Sequence, residues 1–273
     1  MPRLVLFDVD GTLLILLHGN YASPRWWEPV RERLPGGTMA LAPDMRRWVE
    51  NGRTTIPDLA DKLAMFADVH GLAASVIVGH SLGGMVATQF ALDHPEMMQA
   101  LVLIASGPPE GVPWGRFAIG RQLPWRWLRR WVMRSALGKA GLPSHHPLAE
   151  ALIQDALATD PAVYAAFSRA VADWNVSKRL NELTTPTLLI WGENDPVMPL
   201  KIGWRLHGLI PCSRLVTLPG VGHSPLVETP EAVVEHLLRF LGERISTVAE
   251  PAGATQGGWS QRALDRLTAW IRG

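Results

Sequence analysis

Six short apolar runs recur along the chain, and their spacing limits what it can fold into. They are Leu13–Leu17, Met39–Ala42, Ser75–Val78, Ala100–Ile104, Thr187–Trp191 and Arg214–Thr217. Most are rich in Leu, Ile and Val, with little alternation of polar residues, which is how a strand reads when helices cover both faces of its sheet. Helix-like segments lie between them, including Ile56–Val69, Leu82–Asp93 and Glu231–Leu241. Thr229-Pro230-Glu231 places a proline at the start of the last of these, where a missing N–H does no harm. Strand and helix in alternation predict an α/β fold with a mostly parallel sheet.

The alternation stops between residues 107 and 183, where helical patterns and Pro/Gly-rich turns replace strand-like runs. Such an insertion between two strands of a parallel sheet is expected to form a helical cap over the sheet's carboxyl edge. The expected organisation is a core from residues 1–106 and 184–245, a cap from 107–183, and a tail from 246–273. In the tail, Thr247–Gly258 reads as a linker, and residues 259–272 put Ala263, Leu264, Leu267, Trp270 and Ile271 on one helical face. With 26 Lys+Arg against 25 Asp+Glu, the charge balance offers no global field for nucleic acid. Cys212 is the single cysteine, so an intrachain disulfide is excluded, and no Cys/His cluster has the spacing of a metal site. No metal or cofactor is expected. The longest apolar run near the start, Leu13–Leu17, is too short for a membrane span or a secretory core, and the default expectation is a cytoplasmic chain.

The sharpest local signal is Val78-Gly79-His80-Ser81-Leu82-Gly83-Gly84, a G-x-S-x-G motif entered from a strand and left through a helix. That context is what a nucleophile elbow requires. A serine in such a turn is pushed above the sheet, beside the N–H groups of a helix start. A serine hydroxyl is a poor nucleophile near neutral pH, so it needs a base and a group that orients the base. Downstream, Asp195 follows one strand end within Gly192-Glu-Asn-Asp195-Pro-Val-Met-Pro199, and His223 follows the next within Gly222-His223-Ser224-Pro225.

In the order Ser, Asp, His, and from Leu13 to about Leu241, the chain resembles the α/β-hydrolase superfamily. The likeness is to its small esterase, C–C hydrolase and cofactor-free haloperoxidase-like branch. The resemblance implies that Ser81 is the nucleophile, His223 the general base and acid, and Asp195 the orienting carboxylate. Glu193 is the rival acid, but the family's G-x-x-D-x-x-x-P pattern favours Asp195. His80 is read as a packing residue beside the elbow, not as the base. The resemblance also implies an oxyanion hole made by the backbone N–H of Leu82 and by the loop after His18-Gly19, with Asn20 as donor and Tyr21 beside it. A lost donor of this kind costs about 3 kcal/mol of transition-state stabilisation.

A competing motif sits at the start. Asp8-Val-Asp10-Gly11-Thr12-Leu13 resembles the first motif of haloacid-dehalogenase-type phosphatases, whose other elements include a late acidic pair, commonly in G-D-x-x-x-D, that holds Mg²⁺. This sequence has no Gly-Asp dipeptide. Asp10-Gly11 between Leu4–Phe7 and Leu13–Leu17 is also a strong hairpin signal, which would pair those two runs. The α/β-hydrolase sheet instead gives the His-Gly strand other neighbours and precedes it with an antiparallel pair, for which about a dozen residues are too few. Pro43-Asp44-Met45-Arg46-Arg47-Trp48-Val49-Glu50 lacks the glycines of the family's arginine loop. Both departures predict a shortened N-terminal region.

The expected cap carries Trp114, Trp125, Trp127 and Trp131 among Arg121, Arg126, Arg129, Arg130 and Arg134. A basic amphipathic helix suits a lid, or contact with an anionic membrane surface, and its place in the chain favours the lid. With Tyr21 and Trp26, Trp114 and Trp125 are expected to bind substrate. The expected activity is ester hydrolysis through an acyl-enzyme on a small molecule with a hydrophobic or aromatic acyl group. C–C bond hydrolysis of a vinylogous diketone and ligand capture without turnover are the alternatives.

Overall fold

The structure, a computed structural model, describes residues 12–72, 75–113, 126–139 and 146–248. In chain order the strands are β1 (Leu13–Leu17), β2 (Met39–Leu41), β3 (Ser75–His80), β4 (Met98–Ile104), β5 (Thr187–Gly192) and β6 (Ser213–Leu218). The helices are α1 (Glu28–Arg31), α2 (Ile56–Val69), α3 (Leu82–Asp93), α4 (Arg126–Lys139), α5 (Ala149–Ala158), α6 (Pro161–Asp173), α7 (Lys201–Leu209), α8 (Pro225–Glu228) and α9 (Pro230–Val248). The six strands form one parallel sheet in the order β2-β1-β3-β4-β5-β6.

Burial follows from this topology. Central strands β1, β3 and β5 are buried at every residue, whereas the edge strand β6 is half-exposed along most of its length. Along β1 the side chains alternate: Leu13, Ile15 and Leu17 join the layer that holds α2 and α3, and Leu14 and Leu16 join Trp27, Val30 and Leu237 on the other side. The sheet is therefore covered on both faces, as its apolar runs require. Helix α2 begins with a reciprocal cap, in which the Asp58 N–H donates to Thr55 Oγ1 (3.1 Å) and the Thr55 N–H to Asp58 Oδ2 (2.8 Å).

Several expectations need adjusting. Strand β1 is hydrogen-bonded on both edges, pairing Leu13 with Met39 and Leu14 with Val76. Leu4–Phe7 and Asp10-Gly11, the other arm and the turn of the expected hairpin, lie outside the described residues. Among the described residues no strand precedes β1. Helix α9 continues past Leu241 through Val248, and so takes in Thr247 and Val248 from the expected linker. The aspartates of the phosphatase-like motif, Trp114, Trp125 and the helical pattern at 259–272 lie outside the described residues. Among the described residues, helices α4, α5 and α6 lie between β4 and β5. Among the described residues no helix is long and apolar enough to cross a membrane.

Candidate active site

The chain leaves β1 for β2 on one side and returns over it to β3 on the other. Such a reversal opens a crevice at the carboxyl ends of the two strands, where open α/β sheets bind ligands. Gly19 follows β1 there, and Ser81 follows β3. A Cβ added to Gly19 would lie 3.2 Å from the Ser81 Cβ and 3.0 Å from His80 Nδ1. The His-Gly turn and the elbow are thus in contact.

Ser81 has φ 52° and ψ −114°, a conformation that L-residues rarely hold. The surrounding backbone fixes it: its N–H donates to the Ile104 carbonyl (3.0 Å), and its own carbonyl accepts from the Gly84 N–H (3.0 Å). Strain of this type costs about 1–3 kcal/mol and persists only where its surroundings over-determine it. Close packing supplies that constraint. A Cβ on Gly79 would overlap the Gly83 carbonyl, and one on Gly83 would overlap the Leu17 carbonyl. Leu82 is the first residue of α3, where a backbone N–H has no intrahelical partner.

Asp195 and His223 come from the loops after β5 and β6. Those loops are joined by backbone bonds from the Glu193 N–H to the Leu218 carbonyl (3.1 Å) and from the Asn194 N–H to the Val221 carbonyl (2.9 Å). His223 Nδ1 lies 2.8 Å from Asp195 Oδ2. The second carboxylate oxygen, Oδ1, accepts the N–H groups of Val197 and Met198 at 2.8 Å each, which fixes the plane of the carboxyl group. Both residues are buried, whereas Glu193 is exposed. The contact assigns the imidazole proton to Nδ1 and leaves Nε2 to accept one.

His80 and Glu228 hold the same loop. The His80 ring centroid lies 4.9 Å from that of His223, and His80 Nε2 donates to the His223 carbonyl (2.9 Å). Burial, reinforced by the neighbouring His223, lowers the His80 pKa to about 3, so it is a neutral donor. Its role thus goes beyond packing. Glu228 Oε2 accepts the Gly222 N–H and Oε1 the Ser224 N–H, each at 2.8 Å. Motif reading passed over Glu228, since its partners are backbone groups. The available signal was an acid one short turn after Pro225.

Beside the elbow, the loop after β1 meets α5 and α6. The Gly19 carbonyl accepts from His18 Nδ1 (2.9 Å) and from the Ala22 N–H (3.3 Å). In a planar trans peptide the Asn20 N–H points away from that oxygen. Asn20 Nδ2 donates to Ser168 Oγ (3.2 Å), and Asn20 Oδ1 accepts the Tyr21 N–H (2.9 Å). Tyr21, at φ 60°, lies with its ring centroid 4.5 Å from that of Tyr164. Burial pushes the Tyr164 phenol up to about 12, and its hydroxyl donates to the Ala156 carbonyl (3.1 Å). Ser23 Oγ (2.6 Å) and Arg25 Nε (3.1 Å) donate to Asp155. The glycine-poor loop forms a short turn in which Arg46 grips Asp44 through two nitrogens (2.7 Å each) and reaches Thr159 Oγ1 (2.9 Å). Trp26 is buried in the apolar layer with Leu14 and Leu16, its ring stacked on His80 at 6.2 Å. Among the described residues, no three His, Cys, Asp or Glu side chains cluster closely enough to hold a metal ion.

Comparison with known proteins agrees with this architecture. A profile described as the alpha/beta hydrolase family matches residues 14–236, and the chain belongs to that family. It is 28% identical over 259 residues to the pimeloyl-[acyl-carrier protein] methyl ester esterase of Aromatoleum aromaticum, an alignment spanning 83% of this chain and 98% of that enzyme. Among solved structures, a hydrolase from Pseudomonas aeruginosa PA01 superimposes with a TM-score of 0.75 at 26% identity, covering 85% of this chain and 90% of that one. A thermophilic esterase from Thermogutta terrifontis also reaches 0.75, at 25% identity, with coverages of 86% and 90%. This chain is a hydrolase with esterase-like relatives.

Proposed function

We propose that the protein hydrolyses carboxylic esters through an acyl-enzyme on Ser81. The observation that carries this reading is the buried Asp195–His223 pair, with its carboxylate plane fixed, beside the strained elbow of Ser81. In the first half-reaction His223 Nε2 takes the Ser81 proton as Oγ attacks the ester carbonyl, and Asp195 stabilises the imidazolium. The imidazolium then gives its proton to the departing alkoxide, releasing the alcohol. In the second half-reaction His223 deprotonates water, which attacks the acyl-enzyme and frees the acid and Ser81. The N–H groups of Leu82 and Asn20 serve as donors to the oxyanion, and the Asn20 side chain, bonded to Ser168, steadies the loop that presents its N–H.

The substrate reading rests on Tyr21 and Tyr164, whose rings meet beside the oxyanion loop. Their rings favour a hydrophobic or aromatic acyl group. The methyl ester esterase named among the relatives makes methyl esters the first class to try. The test is turnover of a p-nitrophenyl ester chain-length series, run beside a dienoate C–C substrate. Ester turnover that Ser81→Ala abolishes is the expected result. Dienoate cleavage with no ester turnover, or full ester turnover by Ser81→Ala, would overturn it.

A further inference from the structure

We propose that Glu228 is a positioning residue that sets the direction of the His223 imidazole by holding the backbone on both sides of it. The inference rests on reading His223 as the general base. Glu228 closes the short helix α8, and its side chain turns back over Ser224-Pro225. One carboxylate oxygen takes the N–H of the residue before His223, and the other takes the N–H of the residue after it. His80 donates to the intervening carbonyl, that of His223. Three side-chain contacts therefore fix the peptide groups around one histidine, while Asp195 fixes the ring itself.

Only a carboxylate suits this task. Two N–H donors require two acceptor oxygens, and glutamine offers one oxygen and an NH₂ that would face the other donor. Aspartate is shorter by a methylene and cannot span both. Burial raises the Glu228 pKa, the adjacent Asp195 charge adds to the rise, and the backbone bonds and His223 oppose it. A group with a raised folded-state acid pKa favours the protonated folded form, so its charge weakens the fold near neutral pH. The two backbone bonds stabilise the loop and the cost of the buried charge opposes them, so the net effect on stability is small while the positional effect on rate is not. Protonation as pH falls turns one acceptor into a donor and releases one of the two N–H groups. The groups facing this carboxylate and its loop are His223, Asp195 and His80.

The experiment compares wild type, Glu228→Gln and Glu228→Ala in the full chain. It measures ester turnover against pH, thermal melting, and the downfield proton resonance of the His223–Asp195 contact. Displacement of a catalytic group by about 1 Å can cost about 100-fold in rate. The expected result for Glu228→Gln is a kcat lower by about 10- to 100-fold, KM within about two-fold, and a melting temperature changed by only about a few degrees. Its acid limb should lose one ionisation, and the downfield resonance should shift or broaden. Wild-type kcat and acid limb in both variants would overturn the inference. So would a loss of kcat that only follows a matching loss of melting temperature in both. A wild-type protein inert to every ester would refute the esterase reading instead, and the resonance would then decide the role of Glu228: moved in Glu228→Gln it supports the inference, unmoved it overturns it.

Discussion

The carboxyl edge of the sheet and the helices α4–α6 are held by different means. At the sheet edge, backbone packs on backbone: a Cβ on Gly83 would strike the Leu17 carbonyl, and Ser81 is bonded through both its N–H and its carbonyl. Helices α5 and α6 pack side chains such as Leu152 and Phe167 into the apolar layers and add side-chain bonds such as Asn20–Ser168 and Ser23–Asp155. Helix α4 is tied to α5 by the Arg130–Glu150 pair and leaves Trp127 (66%) and Trp131 (64%) exposed. The first arrangement leaves no room for an added atom at Gly79 or Gly83, whereas the second rests on side chains. Chemistry can stay constant on the rigid edge while the helical layer alters what reaches it.

The comparison can be broken most decisively at Asp195. Asp195→Asn keeps the shape but favours the wrong His223 tautomer, and a loss of about 10⁴-fold in kcat is expected. Steady-state kinetics with an intact circular dichroism spectrum would check it. At Gly83 the expected effect is on folding: Gly83→Ala forces apart β1 and α3 and should cost about 3 kcal/mol or more, read as a lower urea midpoint. A cost below about 1 kcal/mol would show that the edge is less rigid than described.

A smaller effect is expected from His80. Its folded pKa of about 3 lies below the unfolded value of 6.5, so unfolding takes up a proton between those limits. Stability should therefore fall as pH drops below 6.5, by up to about 1.4 kcal/mol per unit from this group. His80→Gln should flatten the slope of unfolding free energy between pH 6 and 4. An unchanged slope would mean that His80 is charged in the folded protein.

In the helical layer, Asp155→Ala removes the partner of Ser23 and Arg25 and should cost only about 1 kcal/mol. It should alter kcat/KM for long acyl esters by a few-fold and leave an acetyl ester nearly unaffected. Equal losses on both would place Asp155 with the rigid edge rather than with substrate selection.

The two regions also differed in how legible they were in the sequence. Apolar periodicity placed β1, α2 and α3 at their observed bounds, because burial on a regular period leaves a plain pattern. It ended β3 at Val78, whereas Gly79 and His80 continue the ladder against Leu103 and Ile104. A glycine and a histidine carry no strand signal, yet they deliver Ser81 to its turn. Helix α7 was overlooked because Lys201–Leu209 contains two glycines and has no side-chain cap. Glu228 and the bond from His80 were invisible for another reason. Their partners are main-chain groups of the His223 loop, and every residue has those.

The most direct test of the central claim is to treat the protein with a fluorophosphonate, then find the labelled peptide by mass spectrometry. Stoichiometric labelling of Ser81, lost in Ser81→Ala and slowed in Asp195→Asn, is the result this account predicts. Labelling at another residue, or ester turnover that continues after Ser81 is blocked, would contradict it.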